Sequence, residues 1–262
     1  MWNIRKIVGM SGREYILAET NWKNVKETDF QLAILPWGAT EAHNYHLPYS
    51  TDNIQCDEIT AEAARLSWEK GIKSIVLPTI PFGVNTGQLD IKFDINMNPS
   101  TQLAVLDDIV SALERQGIDR LLIVNGHGGN DFRQIIRELL PKYEIFICCL
   151  NWFSIVDESI FERGGDHANE LETSVMQYLK PEFVLPLDEA GDGCEHRFKI
   201  SGLREGWVWT QRHWLSATND TGIGDPALAS PEKGRKCVQQ VAQKISQFLI
   251  DLADADLSDL YE

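Results

Sequence analysis

Arg120-Leu121-Leu122-Ile123-Val124 runs directly into Asn125-Gly126-His127-Gly128-Gly129-Asn130, and an amphipathic stretch over 131–140 begins at once. An apolar run, a glycine-rich turn and a helix in direct succession form the unit from which α/β folds are built. Working outward, 30–35, 74–80 and 145–150 are further strand-like apolar runs. Apolar residues at helical spacing predict helices over 56–68 (Ile59, Ala63, Leu66) and 101–116 (Leu106, Val110, Leu113), and 170–179 and 232–252 also read as helices. Gly71 and Gly117 stop the first two. Residues 1–29 form a polar lead-in, and 81–99 a long loop bearing glycine and asparagine. The alternation predicts an α/β fold with a mostly parallel sheet in a single domain over 1–262. In such folds sites collect at the carboxyl ends of the strands, and two histidine-bearing loops, after Leu35 and after Val124, fall there.

The bulk numbers exclude several classes. The chain has 262 residues, 43% hydrophobic, enough for one sizeable core. Its formal net charge is -15, which argues against nucleic acid or an anionic membrane as partner, because phosphate binding needs a basic face. Five cysteines, an odd number with no CxxC pair, argue against a disulfide framework or a cysteine zinc site. The first residues lack a signal-peptide apolar core, and no run reaches the length of a membrane span, so the cytoplasm is the default expectation.

Three polar loops carry the chemistry. The first, Pro36 to Asp52, holds Glu41, His43, His46 and Asp52. Glu41 and His43 are two apart and point the same way if extended. Imidazole and carboxylate are the ligands a divalent metal accepts without sulfur. The second loop is Asn125 to Asn130. A glycine turn there could cradle an anion, but it matches neither GxGxxG nor the Walker pattern and has no lysine. A histidine between glycines is better placed as a metal ligand, with Asn130 capping the next helix. The third is Asp166-His167-Ala168-Asn169-Glu170-Leu171-Glu172. If His167 and Glu170 share a helix they share a face, while Glu172 lies about 200° from Glu170. Geometry then admits one glutamate, and Glu170 is the expected ligand, with Glu172 holding the helix or loop in place.

These stretches together resemble a known family. Glu41-Ala42-His43, His46-Leu47-Pro48 and Thr51-Asp52 resemble the EQHGPHLPxxTD signature of the creatininase (creatinine amidohydrolase) family. Asn125 to Asn130 resembles its NGHGGN element, His167 to Ser174 its HAGExETS element, and Thr221 to Pro226 its TGVxGDP segment. The resemblance implies a three-layer α/β/α sandwich, often assembled as a hexamer, with two divalent ions per chain, zinc or manganese. Carried over by position, Glu41, Asp52 and His127 hold one ion. His43, Asp52 and Glu170 hold the other: creatininase proper has a glutamate for the second metal where this chain has Gly129, and Glu170, the glutamate of the HAGE-type element, would substitute for it. It further implies hydrolysis of a C–N amide bond in a small molecule, with His167 as proton shuttle. Gly128 and Gly129 would be oxyanion donors, and Trp152 a substrate-side residue. The departures lie around the pocket. Asn44 and Tyr45 replace Gly-Pro, Asn169 replaces a glycine, Arg163 stands near where a second tryptophan is expected, and the 81–99 loop differs. A changed pocket points to an amide other than creatinine, such as a cyclic amide or a formamide. Creatinine hydrolysis proper, and a metal-holding sensor without turnover, are the alternatives.

Overall fold

Four strands are long enough to form a ladder: β1 (Leu32–Trp37), β2 (Ser74–Val76), β3 (Arg120–Asn125) and β4 (Phe146–Asn151). In this computed structural model, which describes residues 12–262, all neighbouring pairs are parallel and the order is β2-β1-β3-β4. The start of the polar lead-in, residues 1–11, lies outside the described residues. The helices are α1 (Trp22–Val25), α2 (Thr51–Glu69), α3 (Pro99–Arg115), α4 (Phe132–Leu139), α5 (Glu170–Leu179), α6 (Ser201–Arg204), α7 (Trp214–Ala217) and α8 (Pro231–Asp254).

Strand side chains alternate between the two faces, and each face is covered. Leu32, Ile34, Leu122 and Val124 pack with α2 and α8. Ala33, Leu35, Trp37, Leu121 and Ile123 pack with α3 and α4. The layers are therefore α/β/α, as the family resemblance implies, around the parallel sheet that the alternation predicts.

The differences from the predicted boundaries have local causes. The helix predicted over 56–68 begins at Thr51, because its first turn is polar and apolar spacing cannot register it. That extension places Asp52 on a helix N-terminus, where the helix dipole favours a carboxylate. The strand predicted over 74–80 pairs only to Val76, and Pro78, without an N–H, cannot extend the ladder.

Helix α5 lies against α8, and Gly234 sets how close they come. A Cβ there would sit 1.9 Å from the Ser174 carbonyl oxygen, so only glycine fits. Replacing Gly234 with alanine must push α8 off α5, an overpacking cost of about 1–3 kcal/mol. The expected result is a lower denaturant midpoint with unchanged slope. Among the described residues, no helix is long and apolar enough to cross a membrane.

Candidate metal centre

Strands β1 and β3 end level with each other, with Trp37 beside Asn125 in register. The chain runs from β1 to β2 on one side and from β3 to β4 on the other. The crevice between β1 and β3 is thus a switch point of the sheet, where open α/β folds place their sites. Glu41 and His43 come from the loop after β1, Asp52 from the first turn of α2, and His127 from the loop after β3. His167 precedes α5, and Glu172 lies in the first turn of α5.

These side chains converge. His43 Nε2 lies 3.0 Å from Asp52 Oδ1. His127 Nδ1 lies 2.9 Å from Glu41 Oε1 and 3.2 Å from Asp52 Oδ2. His167 Nδ1 is 3.7 Å from Glu41 Oε1, with its ring 4.1 Å from that of His43. Three overlapping triads have ligand atoms within 4.8 Å of one another: Glu41–Asp52–His127, His43–Asp52–Glu172 and Glu41–His43–His167.

Hydrogen bonds at the back of each ring decide what faces the cluster. His43 Nδ1 donates to the Glu41 carbonyl (3.0 Å), His127 Nε2 to the Val84 carbonyl (3.1 Å), and His167 Nε2 to the Ala42 carbonyl (2.8 Å). A carbonyl can only accept, so each of those nitrogens carries the hydrogen. The other nitrogen of every ring therefore presents its lone pair, or an added proton, to carboxylates. Neutral rings would repel them; positive charge must sit between. Burial works against charge on His43, but Asp52, Glu172 and Glu41 outweigh it and push its pKa up to about 10. His127 is likewise raised well above its usual value, chiefly by Glu41 against the cost of burial. Burial would raise Glu41, yet His127 and His167 hold it below the usual carboxylate range. Asp52 Oδ2 is buried and has no hydrogen-bond partner besides the approach of His127 Nδ1 at 3.2 Å. Protons can supply the missing charge, and so can divalent cations, which displace them. Imidazole nitrogens fixed by backbone carbonyls, set among carboxylates, suit zinc or manganese.

Not every expected residue falls in this cluster. Glu170 does not. Its Oε2 accepts from the backbone N–H of Glu162 (3.0 Å) and Arg163 (2.8 Å), and its Oε1 from Lys233 Nζ. Burial would raise its pKa, but these donors lower it. Glu172 stands beside His43 and Asp52 instead, with its pKa raised by burial. The helical pitch does keep the two glutamates apart, but His167 is not on the helix. Asn169 caps α5 through its side chain, and Ala168 before it is left-handed (φ 50°), so helical spacing does not start until Glu170. Trp152 is also corrected: it is fully buried in the core beneath the site and is not on the cavity wall. Gly128 and Gly129 do line the cavity. A Cβ on Gly129 would fall 2.3 Å from the Val84 oxygen and 2.5 Å from His127 Nε2, inside the bond that orients His127. Asp131, not Asn130, caps α4. Asn130 Oδ1 accepts from the Val84 N–H (3.0 Å) and from Gln102 (2.7 Å) and so ties the two loops together. Asn44, where the resemblance expects glycine, is also left-handed (φ 54°). Asparagine tolerates that region best after glycine, and its amide bonds both backbone groups of Gly191.

Some residues of the site escaped the sequence reading. Gln88 donates to Glu41 Oε2, and Asp94 Oδ1 accepts from the Ala42 N–H at 2.8 Å. Both come from the 81–99 loop. Trp214 meets the His167 ring edge-on at 5.3 Å. The only sequence signal for the first two was that this loop departs from the family pattern.

His46 stands outside the cluster, bonded through Nε2 to Thr173 Oγ1 (2.8 Å). Burial lowers its pKa to about 4. In the unfolded chain it titrates near 6.5, so the native state refuses a proton that the unfolded state takes. Stability from this group is complete above about pH 6.5 and is lost as pH falls towards 4, by up to about 3 kcal/mol. His46→Gln is expected to flatten the denaturant midpoint between those pH values.

A buried imidazole–carboxylate centre at the switch point of an α/β sheet places the protein among metal-dependent hydrolases. Sequence and structure comparisons narrow the class. The family model for creatinine amidohydrolase matches residues 18–249. A mycofactocin precursor peptide peptidase of Mycobacterium ulcerans is 27% identical over 80% of this chain and 84% of its own length. A creatinine amidohydrolase of Pseudomonas putida is 24% identical over 66% and 74%. A crystal structure from Bacteroides fragilis, named provisionally as a creatinine amidohydrolase, is 44% identical with a TM-score of 0.89, covering 95% of this chain and 99% of that one. The chain belongs to the creatininase family, whose members are metal-dependent amidohydrolases. Creatininase structures have been solved in zinc and manganese forms.

The centre opens into a cavity of about 720 Å³. Phe153, Phe161, Arg163, Trp209, Arg212 and Trp214 are among its walls.

Proposed function

We propose that this enzyme hydrolyses a C–N amide bond with water activated between two divalent cations, zinc or manganese. Glu41, Asp52 and His127 would hold one cation; His43, Asp52 and Glu172 the other, with Asp52 shared. The observation that carries this reading is the set of three rings whose outer nitrogens are tied to backbone carbonyls and whose inner nitrogens meet carboxylates. When bound, the cations would lower the pKa of a water and polarise the amide oxygen.

The chain's own groups do the rest. Water oxygen adds to the carbonyl carbon, the C–N bond breaks, and the leaving nitrogen takes a proton. His167 lines the cavity and has Nδ1 facing inward while Nε2 is held by the Ala42 carbonyl. It accepts the water's proton at Nδ1 and returns it to nitrogen. Gly128 and Gly129 line the cavity, and their N–H groups would donate to the developing oxyanion. His167→Asn is expected to keep the metal content, measured by elemental analysis, and to lower kcat about 10²–10⁴-fold. An unchanged rate would remove His167 from the mechanism.

The substrate is an amide larger than creatinine. A cavity of about 720 Å³ belongs with sites that enclose drug-sized ligands, roughly 300–1,000 Å³. Creatinine hydrolysis is the second reading, favoured by the Pseudomonas putida relative. Incubation with creatinine and manganese, followed for creatine, separates the two. Failure to cut any small amide or peptide by a zinc-binding protein would leave the sensor reading. Assembly as a cytoplasmic homo-oligomer of one-domain chains belongs to the same proposal, and light scattering tests the assembly.

A further inference from the structure

Beyond the metal centre, the cavity continues past Trp209, Thr210 and Arg212, which it shares with a second pocket of about 760 Å³. The two pockets differ in sign. Around the first, outside the metal centre, Asp131, Glu158, Glu162 and Asp166 outnumber Arg163 and Arg212, which pair with Asp225 and Asp166. Asp131 and Glu158 have no ion-pair partner among the described residues. The second is walled by Arg197, Lys199, Arg204 and Arg212, with His196 and His213, against Glu195 as its one carboxylate. This is unusual for a chain of net charge -15.

The cations are not equally free. Arg212 is fixed at the divide: it pairs with Asp166 and Glu195 and lies 4.7 Å over the Trp214 ring. Arg197 pairs with Glu195 (3.3 Å). Arg204 donates only to the carbonyls of Phe198 (3.3 Å) and Lys199 (3.2 Å), which leave its charge uncompensated. Lys199 is exposed and makes no ion pair among the described residues. Two uncompensated cations therefore share one pocket wall, adjoining a cavity whose own wall is acidic. Trp209, 82% exposed, forms part of both walls and offers an apolar face between them.

We propose that this basic pocket is a substrate subsite: it receives an anionic group, carboxylate or phosphate, carried by an extended amide at a distance from the bond that is cut. The inference rests on the amidohydrolase reading and adds a polarity to the cleft. An anion close to the scissile bond meets Asp131 and Glu158 and is disfavoured; one placed beyond Trp209 meets Lys199 and Arg204 and is held.

The test uses the metal-loaded full chain and four matched probes, end-capped tetraglycine extended by glutamate, phosphoserine, glutamine or lysine. Calorimetry gives dissociation constants and mass spectrometry follows cleavage. The glutamate and phosphoserine probes are expected to bind about tenfold more tightly than the glutamine probe, with the lysine probe weakest. Raising the salt concentration should erode the difference. The double variant Lys199→Glu/Arg204→Glu should abolish it. Lys199→Gln/Arg204→Gln is the milder control. Whichever anionic probe binds more tightly assigns carboxylate or phosphate. Equal binding of all four probes, or a preference that survives charge reversal, overturns the proposal. Cleavage without anion preference would do so while sparing the amidohydrolase reading. Anion preference lost on charge reversal, with no amide or peptide cut, would support the anion pocket and sink the hydrolytic reading instead.

Discussion

His127→Ala is expected to remove metal binding and turnover together. The imidazole faces both Glu41 and Asp52 at short range, 2.9 and 3.2 Å. Loss of an outer-sphere partner alone typically costs 10–100-fold in metal affinity or activity; loss of a ligand itself should cost about 10³-fold or more. The variant also leaves two buried carboxylates without the group that offsets their charge. Breaking a buried pair in this way costs about 3–5 kcal/mol, so the metal-free variant should melt well below the metal-free parent. Equilibrium dialysis against zinc, elemental analysis and a thermal scan measure all three effects. Retention of two tightly bound ions per chain in the variant would refute the assignment. His127→Gln, with an amide in place of the ring, separates ligation from packing: it should recover part of the melting temperature and none of the turnover.

What could be read from the chain follows from which interactions are local. Strand cores such as Leu121 to Val124 are apolar on both faces because helices cover both, and that makes them visible as runs. Helix α5 spans Glu170–Leu179, the bounds read from the sequence. Glu41, His43, Asp52 and His127 were legible as a group, since two loops leaving neighbouring parallel strands must meet. The limits appear where one backbone angle decides. Ala168 turns left-handed, so His167 leaves the helix register and the face argument selects Glu170, whereas Glu172 is the glutamate that stands beside His43 and Asp52. Trp152 matched a family position, but the sequence carries no measure of depth, and here the ring is core. Gln88 and Asp94 reach Glu41 and Ala42 from a loop with no periodicity, across separations of 47 and 52 residues. Contacts of that kind are set by tertiary packing alone.

The two glutamates of α5 give the sharpest contrast. Glu172→Gln is expected to lose one metal equivalent per chain and to lower kcat/KM by about 10³-fold. The change keeps shape and removes the charge that lies with His43 and Asp52. An amide oxygen is a poorer ligand for a divalent ion, and its NH₂ would be forced against ring donors or the ion itself. Glu170→Gln should behave in the opposite way. Its carboxylate ends on two backbone N–H groups and on Lys233, so it joins the loop before His167 to α8 rather than to the centre. Removing that charge weakens three charge-assisted hydrogen bonds at a fully buried position, for a cost of about 1–3 kcal/mol in stability. Metal content should stay at the parental value. Elemental analysis and denaturant midpoints on the two variants side by side distinguish the roles. Both glutamates sit within one helical turn, so a general failure to fold would show in both, whereas the expected pattern is crossed: metal lost with stability kept near the metal-free parent in one, stability lost with metal kept in the other. If Glu170→Gln is the variant that empties the centre, Glu172 is not a ligand and the second cation has a different cage.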